Sequence, residues 1–477
     1  MIQNVSLVKG RYSALTTKKI NSHYFIIAGG VLLAFLATIV LEPSQLLFFM
    51  ALVIISFLLL RLVLDFKTTC YFVIFLSTVI RLQFEYPNPL MQPSIFMMII
   101  GFISALMFFI LKKGKLYIPL ESIGFGVLIS YTLLISYYKS PVWNHSLDGI
   151  IQLILAFLGF IVITQTRNFD KVTLFRMTKF VIFVGLAQTI YGLISLSLYS
   201  AFDINIGGLM FNQFGTSVTV QGTMFEANLF GSFVGVCLLI LITMLLTGHI
   251  CKHYVFWYLS AILLFTGLVL SWTRSAWIGF ALGVLYIVFI YIKKVLNPKT
   301  IFLLFSLLLI VVPILFTIQT EFDRMSGESG LFTSKLTNIF DNDSGTGKYR
   351  TEQYKFALYD LRGDELTGKG YYSIKQYGEE EWISNIFIFF YHDTGLIGLT
   401  ILILVLISAF YKAFRAIYLS NGNDKLYMVG LTSGLILLIF SYNFTPGHVL
   451  SVFWVYLGLV VTLSSMIINS HKNKTAL

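Results

Sequence analysis

Two side chains stand where an apolar sequence has no obvious need for charge. Arg274 lies in Leu270-Ser271-Trp272-Thr273-Arg274-Ser275-Ala276-Trp277, a short polar point between two apolar runs. A guanidinium at the edge of a bilayer is costly unless it snorkels or finds a partner. It reads either as an interfacial arginine flanked by Trp272 and Trp277, or as a fixed cation able to grip a phosphate with two parallel hydrogen bonds. Glu226 falls at the start of another apolar run, in Gly222-Thr223-Met224-Phe225-Glu226-Ala227-Asn228. A carboxylate there is a candidate proton acceptor, or a first-turn acid favoured by the helix dipole.

The elements that must position these residues follow from composition. Of 477 residues, 57% are hydrophobic and only 12% charged, against roughly 25% charged in an average soluble protein. A soluble enzyme, a DNA-binding protein and a disordered chain are excluded, because so few charges cannot cover a water-facing surface. The formal charge of +11 fits basic cytoplasmic loops better than a nucleic-acid partner. The three cysteines show no metal-ligand spacing. The fold class expected is an all-α, polytopic membrane protein of about 14 spans, in the range 12–14. The spans are read at 24–41, 46–64, 70–84, 94–111, 118–138, 149–164, 178–200, 223–247, 254–272, 274–292, 300–318, 385–411, 426–443 and 447–468. The nearly unbroken stretch 254–292 is too long for one crossing and must fold back at Trp272–Ser275.

With both termini in the cytoplasm, 22 of the 33 lysines and arginines fall in inside segments, as the positive-inside rule requires. Arg274 is on the other side, against that trend. Residues 319–384 hold 12 of the 22 acids and form one long external loop. Within it, Tyr349 to Leu361 has the spacing of a short amphipathic helix, bracketed by Gly345-Thr346-Gly347 and Gly368-Lys369-Gly370. The chain thus divides into 1–318 (eleven spans), 319–384 (the loop) and 385–477 (three spans).

Ser-x-Thr-Arg-Ser-Ala-Trp-x-Gly, from Ser271 to Gly279, resembles an element of the O-antigen ligase and O-antigen polymerase superfamily of bacterial membrane glycosyltransferases. The following span and external loop are similar in order: Arg350, Tyr354 and Ala357, then Gly368 and Gly370, then Ser384-Asn385, Asp393, Gly395 and Gly398. Upstream, Gly222-Thr223-Met224-Phe225-Glu226-Ala227-Asn228 resembles the family's Gly-Thr-Phe-x-x-Pro-Asn element. Two departures stand out. Ser384 occupies the place of the histidine in the ligase pattern, and no arginine shortly precedes Gly222.

The resemblance implies a GT-C-like membrane enzyme that moves a glycan from a polyprenyl-diphosphate carrier to an acceptor sugar, with no metal and no cofactor. It implies Arg274 and Arg350 as diphosphate-binding cations. Glu226, Asp393 and His392 are the candidate bases, and Asn228 and Asn385 the candidate sugar-binding amides. His392 and the two asparagines have plainer readings, as a polar residue satisfied inside the bundle and as helix caps. The leading expectation is a polysaccharide polymerase of a capsule, exopolysaccharide or O-antigen pathway, in the bacterial cytoplasmic membrane. Its partners would be a polyprenyl-diphosphate-linked oligosaccharide, membrane lipids, a chain-length regulator and a flippase, with no nucleic acid. The alternatives are a ligase of the same superfamily and, in another class, a lipid-linked oligosaccharide flippase.

Overall fold

The computed structural model describes residues 60–80, 93–112, 114–211, 218–246, 253–297, 345–378 and 382–475. The chain forms two compact units, Met1–Asp65 and Phe66–Leu477. Of the first, only residues 60–65 are described, a helical turn. The expected spans 24–41 and 300–318, and all but five residues of 46–64, lie outside the described residues.

The second unit is built from helices α1 (Phe66–Leu76), α2 (Pro93–Lys112), α3 (Leu120–Lys139), α4 (Trp143–Thr164), α5 (Lys171–Phe202), α6 (Ala227–Leu246), α7 (Tyr254–Leu270) and α8 (Arg274–Val295). It continues with α9 (Gly345–Asp360), α10 (Ile386–Leu419), α11 (Gly422–Ser441) and α12 (Ser451–Thr475). Among the described residues, nine helices are long and apolar enough to cross a membrane. The chain is an all-α polytopic membrane protein, because only a helix satisfies its own backbone in lipid.

Helices α6, α11 and α12 are the most buried and form the centre. The outer helices turn Ile110, Leu134, Leu285, Phe289 and Leu404 outward, as a lipid-facing surface allows. Close packing at the centre depends on small residues. A Cβ on Gly430 of α11 would lie 3.1 Å from the Ile240 Cα of α6, and one on Gly279 of α8 3.1 Å from the Leu437 carbonyl.

One end of the bundle is tied together by its basic residues. Lys412 pairs with Glu121 at 2.6 Å and Lys171 with Asp424 at 2.8 Å. The Gln165 side chain brackets the Tyr117 backbone at 3.0 and 2.8 Å, and the Tyr117 hydroxyl donates to Ser465. All these residues belong to segments that the charge bias assigns to one side, so the alternation of spans between them agrees with that bias.

Several boundaries differ from expectation. Of the span read at 70–84, residues 70–76 belong to the 11-residue α1, which Ser77 and Thr78 close by donating to the Ile74 and Phe75 carbonyls, and 81–84 lie outside the described residues. The run 223–247 starts as a turn, and helix begins at Ala227. The fold-back at 271–273 is present, with Trp272 in left-handed backbone (φ 51°) between α7 and α8. Helix α9 begins at Gly345, so Gly345-Thr346-Gly347 enters the helix instead of breaking it. A two-stranded hairpin, unanticipated, joins β1 (Leu209–Phe211) to β2 (Val218–Val220), with Met210 opposite Thr219.

The described part of the loop packs on the bundle and belongs to the same compact unit. Its hold on α10 is made through backbone. Gly395 (φ 64°, ψ −168°) breaks α10, so the carbonyls of His392 and Asp393 lose the amides of Leu396 and Ile397. The loop replaces all four groups. Lys369 and Gly370 amides donate to the His392 and Asp393 carbonyls at 3.1 and 2.9 Å, and the Leu396 and Ile397 amides donate to the Glu365 and Leu366 carbonyls at 2.8 and 3.2 Å.

Candidate active site

Glu226 sits at the end of a turn that the rest of the fold holds rigid. Gly222 takes φ 58° and Phe225 takes φ 73°, a conformation that costs a bulky residue of order 1–3 kcal/mol and clusters at functional sites. Gln188, deep in α5, locks the turn. Its carbonyl accepts from the Thr223 amide at 2.9 Å and its amide donates to the Thr223 and Thr78 hydroxyls at 2.7 and 3.1 Å. The Ile80 amide donates to the Thr223 carbonyl from the other side. The Glu226 carboxylate is then aimed by two donors, the Asn228 amide and the Thr445 hydroxyl, the latter at 2.8 Å.

Arg274 is placed in the same way. It is the first residue of α8, directly after the strained Trp272-Thr273 turn. The Thr273 side chain makes no capping bond to the helix and donates instead to the Ser271 carbonyl at 3.0 Å. The dipole of that helix start favours an anion next to the guanidinium.

Arg350 comes from the loop. On α9, Arg350, Gln353, Tyr354 and Ala357 share one face, and Gln353 and Ala357 are buried. Tyr354 donates to the Asn443 carbonyl at 2.8 Å, and the Arg350 guanidinium lies 6.0 Å from the Phe444 ring centre. Burial pulls the Arg350 pKa down, Tyr354 and the Glu226 carboxylate oppose this, and the Arg274 charge adds to it. The group stays cationic, since guanidinium does not deprotonate in proteins. Arg350, carried in by the loop, therefore feels both the Glu226 carboxylate and the Arg274 charge from two other segments.

Beside them opens a cavity of about 700 Å³. Its lining includes Glu226, Gln221, Gln353, Ser384, Phe225, Tyr349 and Trp382. Among the described residues that line it, Glu226 alone is charged.

The remaining expected site residues have other roles. Asn228 orients Glu226. Asn385 caps α10, accepting from the Phe387 and Ile388 amides at 2.9 and 3.1 Å, and its own amide donates to Asn443 at 3.1 Å. Its carbonyl oxygen is thus taken up by the helix start, and one of its two N–H bonds by Asn443. His392 and Asp393 do not line the cavity. Both are fully buried, with His392 Nδ1 2.7 Å from Asp393 and Nε2 3.0 Å from Asp360. Both ring nitrogens are engaged by carboxylates, so neither can take a proton from an acceptor. The second Asp393 oxygen accepts from the Tyr372 amide at 2.7 Å. Asp360 is also bound by the Tyr377 hydroxyl at 2.6 Å, and Lys369 stands 3.5 Å away. This cluster is a latch between loop and helix, made where α10 breaks.

Sequence reasoning missed Gln221, Gln353 and Thr445. The one signal for Gln353 is its spacing three residues after Arg350, on the face of α9 that the apolar residues predict to be buried.

Residues 259–403 match the family model of O-antigen ligase. The matched segment contains Arg274, Arg350 and the latch residues of α10. Glu226 and Asn228 lie before it. No curated protein shows significant similarity to the chain. The O-antigen ligase match supports a membrane enzyme of glycan transfer, in agreement with the motif order read from the sequence.

Proposed function

We propose that this protein is a polysaccharide polymerase of the bacterial cytoplasmic membrane, joining oligosaccharide repeat units carried on a polyprenyl diphosphate at the outer face. The observation that carries the reading is the grouping of Arg274 and Arg350 with Glu226 beside a cavity. In the step, an acceptor hydroxyl attacks the anomeric carbon of the donor glycan. The bond from that carbon to the diphosphate oxygen breaks, and the lipid diphosphate leaves with the electron pair. Glu226 takes the hydroxyl proton. Arg274, the start of α8 and Arg350 stabilise the negative charge that grows on the leaving group. The donor brings its own leaving group, so the step is written without metal or nucleotide.

Ser384 favours polymerase over ligase. The ligase pattern has a histidine there, and here Ser384 donates its hydroxyl and amide to Gln353, both at 3.0 Å. The position thus holds a neutral hydrogen-bonding pair with no acid–base group. A flippase does not account for a cation pair at one end of the bundle.

The test uses the purified protein in liposomes with lipid-linked repeat units and EDTA. Long chains should form. Arg274→Ala and Arg350→Ala should each slow chain growth by about 10²–10³-fold, the usual effect of removing one stabilising donor. Normal growth by both variants refutes the reading. A single transfer to a lipid or protein acceptor would indicate a ligase, and translocation without extension a flippase.

A further inference from the structure

Two glutamines in the cavity wall have their amide orientations dictated by the backbone. A backbone N–H can only donate, so the Ser384 amide must face the Gln353 carbonyl oxygen, as it does at 3.0 Å. The Gln353 NH2 group is thereby turned away from the protein's donors. Gln221 is the mirror case. Its NH2 donates to the Gly207 and Leu209 carbonyls at 3.2 and 3.1 Å, which can only accept, so its carbonyl oxygen is turned outward. Among the described residues, nothing takes up the outward atom of either amide. Both side chains line the cavity, and both are almost wholly buried.

The cavity therefore offers one fixed donor and one fixed acceptor, both neutral, with no rotational freedom to lose on binding. Apolar area flanks them. Phe225 is half exposed, Tyr349 slightly more so, and Trp382 borders the cavity while Lys375 covers its ring at 4.3 Å. The single charge among the described lining residues is the Glu226 carboxylate. Arg350, which lies outside that lining, interacts with Glu226 and with Arg274.

We infer that this cavity is the acceptor subsite and that it takes a neutral sugar, held through its hydroxyls by Gln353 and Gln221 beside the Glu226 carboxylate. The inference rests on the proposed transfer reaction, since Glu226 as base faces the acceptor. A uronic acid is disfavoured there, because its carboxylate would be buried near Glu226 with no cation among the described lining residues to meet it. A sugar hydroxyl, by contrast, can donate to Gln221 or accept from Gln353.

Binding of methyl glycosides to the whole protein in nanodiscs, followed by saturation-transfer NMR, tests this. The probes are methyl glucoside, methyl galactoside, methyl N-acetylglucosaminide and methyl glucuronide. At least one neutral glycoside should bind at least about tenfold more tightly than the glucuronide. Gln353→Glu keeps the acceptor for Ser384, replaces the outward donor by an acceptor and adds a negative charge, and should weaken the neutral glycoside by tenfold or more. Equal binding of the glucuronide, unchanged binding by Gln353→Glu in a protein that melts like wild type, or no binding by any neutral probe overturns the inference. The readout is separable from the reaction. Arg274→Ala should slow chain growth by about 10²–10³-fold and leave glycoside binding intact. Failed binding with intact, arginine-dependent chain growth sinks only this subsite; intact binding with arginine-independent growth sinks only the transfer reading.

Discussion

Gly363 and Gly368 share a left-handed backbone, φ 87° and 79°, but only one of them is enclosed. A Cβ added at Gly363 meets nothing within 4 Å, whereas at Gly368 it would lie 2.5 Å from the Asp393 carbonyl and from the amides of Thr394 and Gly395. Alanine at either site costs about 1–2 kcal/mol for the left-handed conformation. At Gly368 overpacking against rigid backbone adds about 1–3 kcal/mol. Displacing the segment also loses the Lys369 and Gly370 bonds to α10, at about 1 kcal/mol each. The difference between the two variants is then about 3–5 kcal/mol, or at least a hundredfold more of the undocked loop, since each 1.4 kcal/mol is about tenfold. Limited trypsin digestion in nanodiscs reads that population, because cleavage at Arg362 and Lys369 follows the open fraction when reclosing is fast. Gly368→Ala should be cut about 10²-fold or more faster than Gly363→Ala. Equal rates for the two variants would refute the view that the loop is held by its backbone fit to α10.

Two further outcomes follow from buried charge. His448 is fully buried between Phe389 and Phe390, with ring centres at 4.5 and 5.3 Å. Among the described residues neither of its nitrogens has a hydrogen-bond partner, and burial pushes its pKa down to about 3. A histidine held neutral in the fold takes up protons only on unfolding between about pH 6.5 and pH 3, so stability falls as pH drops through that window. At pH 5 the loss is roughly 2 kcal/mol relative to neutral pH; His448→Phe should shrink the difference in melting temperature between pH 7 and pH 5, and an unchanged difference contradicts the account. At the opposite end of the bundle, Lys412→Met leaves the buried Glu121 carboxylate with Ser408 as its remaining donor and should destabilise by about 3–5 kcal/mol. Glu121→Gln combined with Lys412→Met should restore most of that, and equal melting of single and double variants would show that the ion pair matters little.

The fold class and the fold-back at Trp272–Arg274 were legible because hydropathy and charge bias are signals summed over many residues. The start of α6 was not. Met224 and Phe225 are apolar, so the run continues through a turn that exists only because Gln188 and Ile80 hold Thr223 from other segments. Arg274, Arg350 and Glu226 were identifiable as charges out of place, and the structure groups them. His392 was read as a candidate base from local pattern; its second partner, Asp360, is 32 positions away in sequence, where local pattern has no reach. Asn228 and Asn385 were legible as polar residues at helix starts; their attachment to Glu226 and Asn443 depends on tertiary contacts. Gln221 carries no sequence signal and Gln353 only its spacing from Arg350, since their partners alone decide which end of each amide faces outward.

The break in α10 also bears on how the protein matures. A newly inserted α10 without its loop has four unpaired backbone groups at residues 392–397 if it is broken, and none if it is continuous. In a membrane the continuous helix is then the better conformation. The broken form becomes favourable only when residues 365–370 arrive, and in the chain they are synthesised first. Insertion and completion are thus separate events: α10 can enter the bilayer as an ordinary span and be remodelled afterwards by a segment already waiting outside. Arg350 reaches its place as part of that same segment, so the final backbone rearrangement of one helix and the assembly of the cation pair are a single act of maturation.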